Sequence, residues 1–323
     1  MGKVLFTSRR PLGRCENITA VYNAYDGEKE FIQENWGHPD RRIYSDEFSV
    51  MVADDFVPYS PGKLIMLTHG ASGGKSYGLR QPFAYHNVQQ AKLIDYVVST
   101  SKDTMALEAE QHGVPASKVL PLGMPRMDAY YGKKKGDGGI PYKGKKIYLY
   151  VPTFRRPLDP PMPAVNWDYI DSQLDSNELL IVKRHMITRD PLLGDRRYRH
   201  ITEVPSGIPS APYLIDSDVV ITDYSSILFD AHVLGKPLIL FEKKQGYVEC
   251  RKMTYPYPDG YSSRYVTTEA ELVACMKSAE GQNELDLLCK ERSCGACDGH
   301  ATERVVELIR RVADEDPDSS TDV

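Results

Sequence analysis

The chain has 323 residues, enough for about two domains. Its 41% apolar and 26% charged content is ordinary for a globular protein, and a net charge of −5 excludes the strongly basic footprint of a nucleic-acid binder. No apolar run approaches the ~20 residues that span a bilayer, so the expected setting is cytoplasmic, with any membrane contact peripheral.

In chain order, KVLFTS (3–8) predicts an opening strand rather than a signal peptide, because charges flank a short apolar stretch. NITAVYNAY (17–25) predicts a helix, and VMVADD (50–55) and KLIMLTHG (63–70) predict further strands with loop exits. IDYVVSTS (94–101) reads as a buried strand, DTMALEAEQHG (103–113) as a helix stopped by glycine, and VLPLGMPRMD (119–128) as a short strand and turn. GKKKGDGGIPYKGKK (132–146) has no apolar period and reads as a linker.

Beyond it, IYLYVPTFR (147–155) and LLIVKRH (179–185) predict strands with polar ends, separated by a helix at WDYIDSQL (167–174). The stretch 211–242 reads as turn, strand, loop, helix and strand; TTEAELVACMKSA (267–279) and ATERVVELIRRVA (301–313) are helices, and an acidic disordered tail follows. Strands alternating with helices on both sides of a linker indicate two doubly wound, mostly parallel sheets with a cleft between them. Ligands of such sheets bind beyond the carboxyl ends of the strands, so polar residues that follow strands are the candidates.

THGASGGKSYG (68–78) resembles a P-loop, but Gly70 and Gly74 enclose three residues where a P-loop needs four, and His69 replaces the first glycine. In SDVVITDYSSILFD (217–230), a buried strand stops at Asp223 and Ser225 and Ser226 open a helix. The free N–H groups and hydroxyls there suit a phosphate, or equally make a capped helix with no ligand; Asp230, one turn on, is placed to accept from a ribose. Three of six cysteines form CKERSCGAC (289–297); with His300 they fit either a structural zinc site or reduced thiols.

TDYSS with Phe229-Asp230 and Lys236-Pro237 resembles the signature block of the CDP-glycerol glycerophosphotransferases, the teichoic acid polymerase and primase family. Further blocks follow in order: THG (68–70), GMPRMD (123–128), VPTFR (151–155), VKRHM (182–186) and DGHATERV (298–305). Departures are Thr68 for the family's Trp before the histidine, Ala71-Ser72 for Thr-Pro after His-Gly, and Met186 for Pro after Lys-x-His.

The resemblance implies a GT-B architecture: a Rossmann-like acceptor domain (1–135) and a CDP-donor domain (145–313) facing across a cleft, with the tail at 314–323. It implies transfer of glycerol phosphate or ribitol phosphate from a CDP-alditol to a polymer or lipid-linked hydroxyl, releasing CMP, in teichoic-acid-like or capsular polymer synthesis at the inner face of the membrane. His69 is then the candidate base, since its pKa lies near working pH. Lys75 is placed to meet an acceptor phosphate, and Gly70 lets substrate approach the backbone. Arg155, Lys183, Thr222, Ser225, Ser226 and Asp230 are the donor-side candidates, with His185 binding the pyrophosphate or protonating the leaving group. Arg126 and Asp128 shape the turn between the halves or serve structure alone, and Asp223 caps the helix. No carboxylate cluster asks for a metal, so no cofactor is required and Mg²⁺ stays open. The alternatives are a GT-B glycosyltransferase using a nucleotide sugar, an NTPase, and a non-catalytic nucleotide-binding scaffold.

Overall fold

A computed structural model describes residues 2–34, 40–68, 70, 73–74, 85–155, 164–185, 188, 191–243 and 253–314. The chain forms two compact units, Met1–Tyr131 with Arg292–Val323, and Gly132–Glu291.

The first unit contains β1 (Lys3–Ser8), α1 (Glu16–Ala24), β2 (Lys29–Gln33), β3 (Phe48–Ala53), β4 (Lys63–Leu67), α2 (Tyr85–Ala91), β5 (Ile94–Val98), α3 (Met105–His112) and β6 (Val119–Leu120). A 3₁₀ turn follows at Pro125–Tyr130. The strand order is β2-β1-β3-β4-β5-β6, every pair parallel. Alternation sorts the apolar side chains: Val4, Phe6, Val50, Val52, Ile65 and Leu67 enter one core, while Leu5, Met51, Ala53, Leu64 and Met66 enter the other. Covered on both faces, these strands need the near-continuous apolar runs by which they were recognised.

The second unit contains β7 (Lys146–Val151), α4 (Trp167–Gln173), β8 (Glu178–Lys183), β9 (Ile201–Val204), α5 (Ala211–Asp216), β10 (Val219–Thr222), α6 (Ile227–Val233), β11 (Leu238–Phe241), β12 (Tyr265–Val266) and α7 (Glu269–Ser278). Its order is β12-β11-β10-β7-β8-β9, again all parallel. Thr268 and Glu271 form a reciprocal capping box that starts α7. The boundary between the units falls within α8 (Glu284–Cys294), and α9 (Ala301–Asp314) follows.

Two expectations change. The last helix was expected with the second domain, yet α9 belongs to the first unit. Its apolar stripe, Val305, Val306, Leu308, Ile309 and Val312, shares a core with Val4, Phe6, Val50 and Ile65. Asp314 closes this helix, and the rest of the expected tail lies outside the described residues. The stretch read as a linker is folded into the second unit. The buried Asp216 carboxylate accepts from the N–H groups of Gly136, Gly138 and Ile140 at 2.8, 2.9 and 3.1 Å. A Cβ on Gly138 would lie 2.1 Å from the Pro212 carbonyl oxygen, so the glycine answers a close approach.

APYLID, expected as a turn, is α5, and β2, β9, β12 and α2 were not anticipated. Cys289, Cys294 and Cys297 of CKERSCGAC are buried and in no disulfide. His300 Nδ1 lies 3.0 Å from Glu303, and among the described residues no group of three or more His, Cys, Asp or Glu is arranged to hold a metal ion. Among them, too, no helix is long and apolar enough to cross a membrane.

Candidate functional site

In the first unit, polar residues gather where β1, β3, β4 and β5 end. His69 and Lys75 lie outside the described residues; Gly70, directly after His69, is a half-buried bend. The residue before the histidine is firmly held: buried Asn17, in the first turn of α1, donates from Nδ2 to the Thr68 carbonyl at 3.0 Å. Asn17 Oδ1 accepts from the Arg126 N–H, also at 3.0 Å. One amide therefore ties helix α1, the exit of β4 and the GMPRMD turn together. The Arg126 guanidinium lies 3.8 Å from Glu16 Oε2 and 3.5 Å from the Tyr130 hydroxyl.

Asp128 caps α9. Its carboxylate accepts from the N–H groups of Ala301 and Thr302 at 3.1 and 2.6 Å, where a helix start favours negative charge. The closing DGHATERV block meets the same turn: Arg304 donates to the Leu122 and Ala296 carbonyls and pairs with Asp298 at 2.8 Å. That guanidinium holds the Asp298 carboxyl down at about 2. Gly123 has φ +92°, and a Cβ there would meet the Ala296 carbonyl oxygen at 2.2 Å. Two motif blocks far apart in sequence thus build one framework, and this framework is what Asp128 serves.

The chemistry-bearing blocks of the second unit converge on three neighbouring strand ends. VPTFR leaves β7, KRH leaves β8 and DYSS leaves β10, and these strands lie side by side in the order β10-β7-β8. Thr222, fully buried, donates from Oγ1 to the Val151 carbonyl at 2.6 Å and fastens two of those ends together. Asp223, expected as a helix cap, does something else. Its Oδ1 accepts from the Thr153 N–H at 2.8 Å, and its Oδ2 faces both Arg155 terminal nitrogens at 3.3 Å. Arg155 Nη1 also donates to the Thr153 carbonyl at 2.7 Å, so the guanidinium is fixed at the mouth of the sheet.

Beside it, the His185 ring stacks on Phe154 with centroids 4.5 Å apart and a 31° tilt. Ser225 is half-buried and Ser226 exposed, at the start of α6; the Ser225 hydroxyl accepts from the Ile227 N–H at 3.4 Å. Lys183 departs from the expectation of a phosphate-facing cation. It is 2% exposed, and its Nζ donates to the Arg184 and Pro205 carbonyls at 2.8 and 3.3 Å. Burial, with Arg184 adjacent, pulls its pKa down to about 8. Asp230 is likewise fully buried in α6, inside the unit rather than on its surface.

Three acids and amides went unread in the sequence. Asn17 carries no local signal. Asp54, at the exit of β3, is buried, and burial pushes its carboxyl up to about 6 against the hydrogen bond from Ser8; its Oδ1 has no partner. Glu242 ends the apolar run LILFE as Asp223 ends VVITD, and the same reasoning would have found it.

Two parallel Rossmann-type sheets, with cationic, hydroxyl and aromatic groups at the strand ends of the second, are the elements of a GT-B fold. The CDP-glycerol:poly(glycerophosphate) glycerophosphotransferase family matches residues 60–311, and the chain belongs to it. The teichoic acid poly(ribitol-phosphate) polymerase of Bacillus spizizenii is 24% identical over 306 residues, covering 83% of this chain and 47% of the relative. The teichoic acid glycerol-phosphate primase of Bacillus subtilis is 27% identical over 235 residues, covering 65% and 59%. The chain thus spans about half the length of these relatives. A structure of the wall teichoic acid polymerase TagF superposes with a TM-score of 0.75 at 15% identity, covering 96% of this chain and 89% of that one, a likeness of fold.

Proposed function

We propose that the protein transfers an alditol phosphate, glycerol phosphate or ribitol phosphate, from a CDP-alditol to a hydroxyl of a polymer or lipid-linked acceptor. The acceptor oxygen bonds to the distal phosphorus, the bridging P–O bond breaks, and CMP leaves with the bridging oxygen. The acceptor's proton passes to His69. The single observation carrying this reading is the gathering of Arg155, His185, Ser225 and Ser226 on adjacent strand ends of one unit. Phosphoryl transfer depends mainly on positioning and charge stabilisation, and this set offers a fixed guanidinium, an imidazole and two hydroxyls to a diphosphate. In this reading Asp223, Thr222 and Lys183 hold the strand ends in place, and Asp230 supports the ribose side from within α6. Gly70 and Lys75 belong to the acceptor loop. The protein works at the inner face of the cell membrane, in contact with it only peripherally, because that is where a lipid-linked acceptor is reached.

The full chain, incubated with CDP-glycerol or CDP-ribitol and a lipid-linked or phosphoglycan acceptor, should release CMP and give an acceptor heavier by one or more alditol phosphates in mass spectrometry. His69→Ala should lower turnover at least about a hundredfold, the loss of a general base, while retaining donor affinity. CMP release unchanged in that variant would remove His69 from the role. Turnover of a UDP- or GDP-sugar, with none of either CDP-alditol, would replace the reading with a glycosyltransferase.

A further inference from the structure

Beyond the serine turn, on the β11 side, the second unit carries two buried oxygen functions that its own fold leaves unused. Glu242 follows β11 and is 6% exposed. Its Oε2 accepts from the Tyr265 hydroxyl at 3.0 Å, while its Oε1 is buried with no hydrogen-bond partner. The Tyr257 hydroxyl is also buried and partnerless. These groups share one aromatic nest. The Tyr257 ring lies 4.7 Å from that of Tyr224 and 5.9 Å, edge-on, from that of Tyr265. Tyr224 stands between Asp223 and Ser225, so the nest adjoins the turn proposed to hold phosphate.

An orphaned buried oxygen is costly, so two in one nest ask for a ligand that satisfies both. The chemistry narrows its class. A carboxylate beside Asp223 repels phosphate, and the phosphate-matching groups Arg155 and His185 are on the β7 and β8 side. An ammonium would satisfy the carboxylate but could offer the Tyr257 O–H no acceptor. A pair of neighbouring hydroxyls does both: one donates to Glu242 Oε1, and the other accepts from Tyr257. Burial holds the Glu242 carboxyl above its usual range, opposed by the Tyr265 hydrogen bond, and Asp223 reinforces the rise. The group is therefore poised to gain from a hydroxyl donor.

We infer that Glu242 and Tyr257 form a polyol subsite of the second unit that binds a vicinal diol of the donor. The inference rests on the CDP-alditol reading. Vicinal hydroxyls occur in both the alditol and the ribose of such a donor, and CMP carries only the latter.

The test is calorimetric affinity of the full chain, as wild type, Glu242→Gln and Tyr257→Phe, for CMP, CDP-glycerol and CDP-ribitol, with melting temperature measured alongside. Each variant removes one hydrogen bond and should weaken CDP-alditol binding about tenfold. CMP affinity held within about twofold assigns the subsite to the alditol, and an equal loss for CMP assigns it to the ribose; either supports a diol subsite. Affinities for all three ligands unchanged, with a raised melting temperature, would overturn it and leave a strained buried pair. Tyr257→Phe, the milder change, decides alone if Glu242→Gln does not fold. Wild-type protein that binds CMP but neither CDP-alditol contradicts the function proposed above, while the CMP arm still judges the subsite. Wild type that binds none of the three overturns both.

Discussion

The strand ends of the two units handle polar groups in opposite ways. In the first, the described side chains mostly satisfy one another: Asn17 uses both ends of its amide, Asp128 caps α9, and Arg304 closes on Asp298 and two carbonyls. In the second, Thr222, Asp223, Lys183 and the Arg184–Glu203 pair form an anchoring tier. Above it, Ser226 is exposed, His185 is stacked on Phe154, and Glu242 keeps an unused oxygen. Blocks of similar prominence in the sequence thus divide into those that build a frame and those that the proposed donor site draws on. The division follows from what each side chain touches, not from its chemistry: Asp128, Asp223 and Glu242 are all carboxylates.

The sharpest way to break the contrast is Asp223→Ala. It removes the acceptor of the Thr153 N–H and leaves the 14%-exposed Arg155 guanidinium without its carboxylate. Losing one partner of a buried pair costs about 3–5 kcal/mol, so the melting temperature should fall sharply. Donor affinity should fall with it, because Arg155 loses its orientation. A variant with wild-type affinity for CDP-alditol would show that Asp223 stabilises the fold without ordering the site.

The first unit offers the matching test. Asn17→Ala deletes two backbone hydrogen bonds, one buried at Thr68 and one part-buried at Arg126, and should cost about 2–3 kcal/mol. It should also lower turnover while leaving donor affinity intact, since it frees the Thr68 carbonyl next to His69 and touches nothing in the second unit. Equal losses in turnover and donor affinity would erase the distinction between frame and site.

Much of this was legible in the sequence, and the omissions share a cause. Central strands such as VVIT and LLIVK are buried on both faces and announce themselves as apolar runs. The missed strands β2, β9 and β12 are edges of their sheets, short and mixed in character, and pair on one side only. Motifs at strand exits led to Arg155, His185 and the two serines, because a parallel sheet brings consecutive exits together whatever the loops do. Partners were harder. Nothing local ties Asp223 to Arg155, Asp128 to Thr302 or Glu242 to Tyr257, since each pair is made by the fold across a long sequence separation. Lys183 misled for a related reason: at the end of an apolar run it reads as a polar exit, yet β9 and the carbonyl of Pro205 enclose it.

The smallest expected effect concerns the exception in the first unit. Asp54 resembles Glu242 more than its own neighbours, being a buried strand-end acid with an unpartnered oxygen. Its folded carboxyl is pushed up to about 6 from 3.8, chiefly by burial. Between those values the folded state keeps a proton that the unfolded state has lost. This group's contribution to stability is therefore greatest below about pH 4, declines as pH rises to about 6, and is level above that. Asp54→Asn removes the titration. At neutral pH it should raise stability by about 1–2 kcal/mol, less than two pKa units would give, because the amide is also costly to bury. Denaturant melts of both proteins from pH 4 to 8 measure this directly. A wild type whose stability rises through pH 4–6 relative to the variant would mean that the Asp54 carboxylate is stabilised in the fold, and that the first unit has no unsatisfied acid to set beside Glu242.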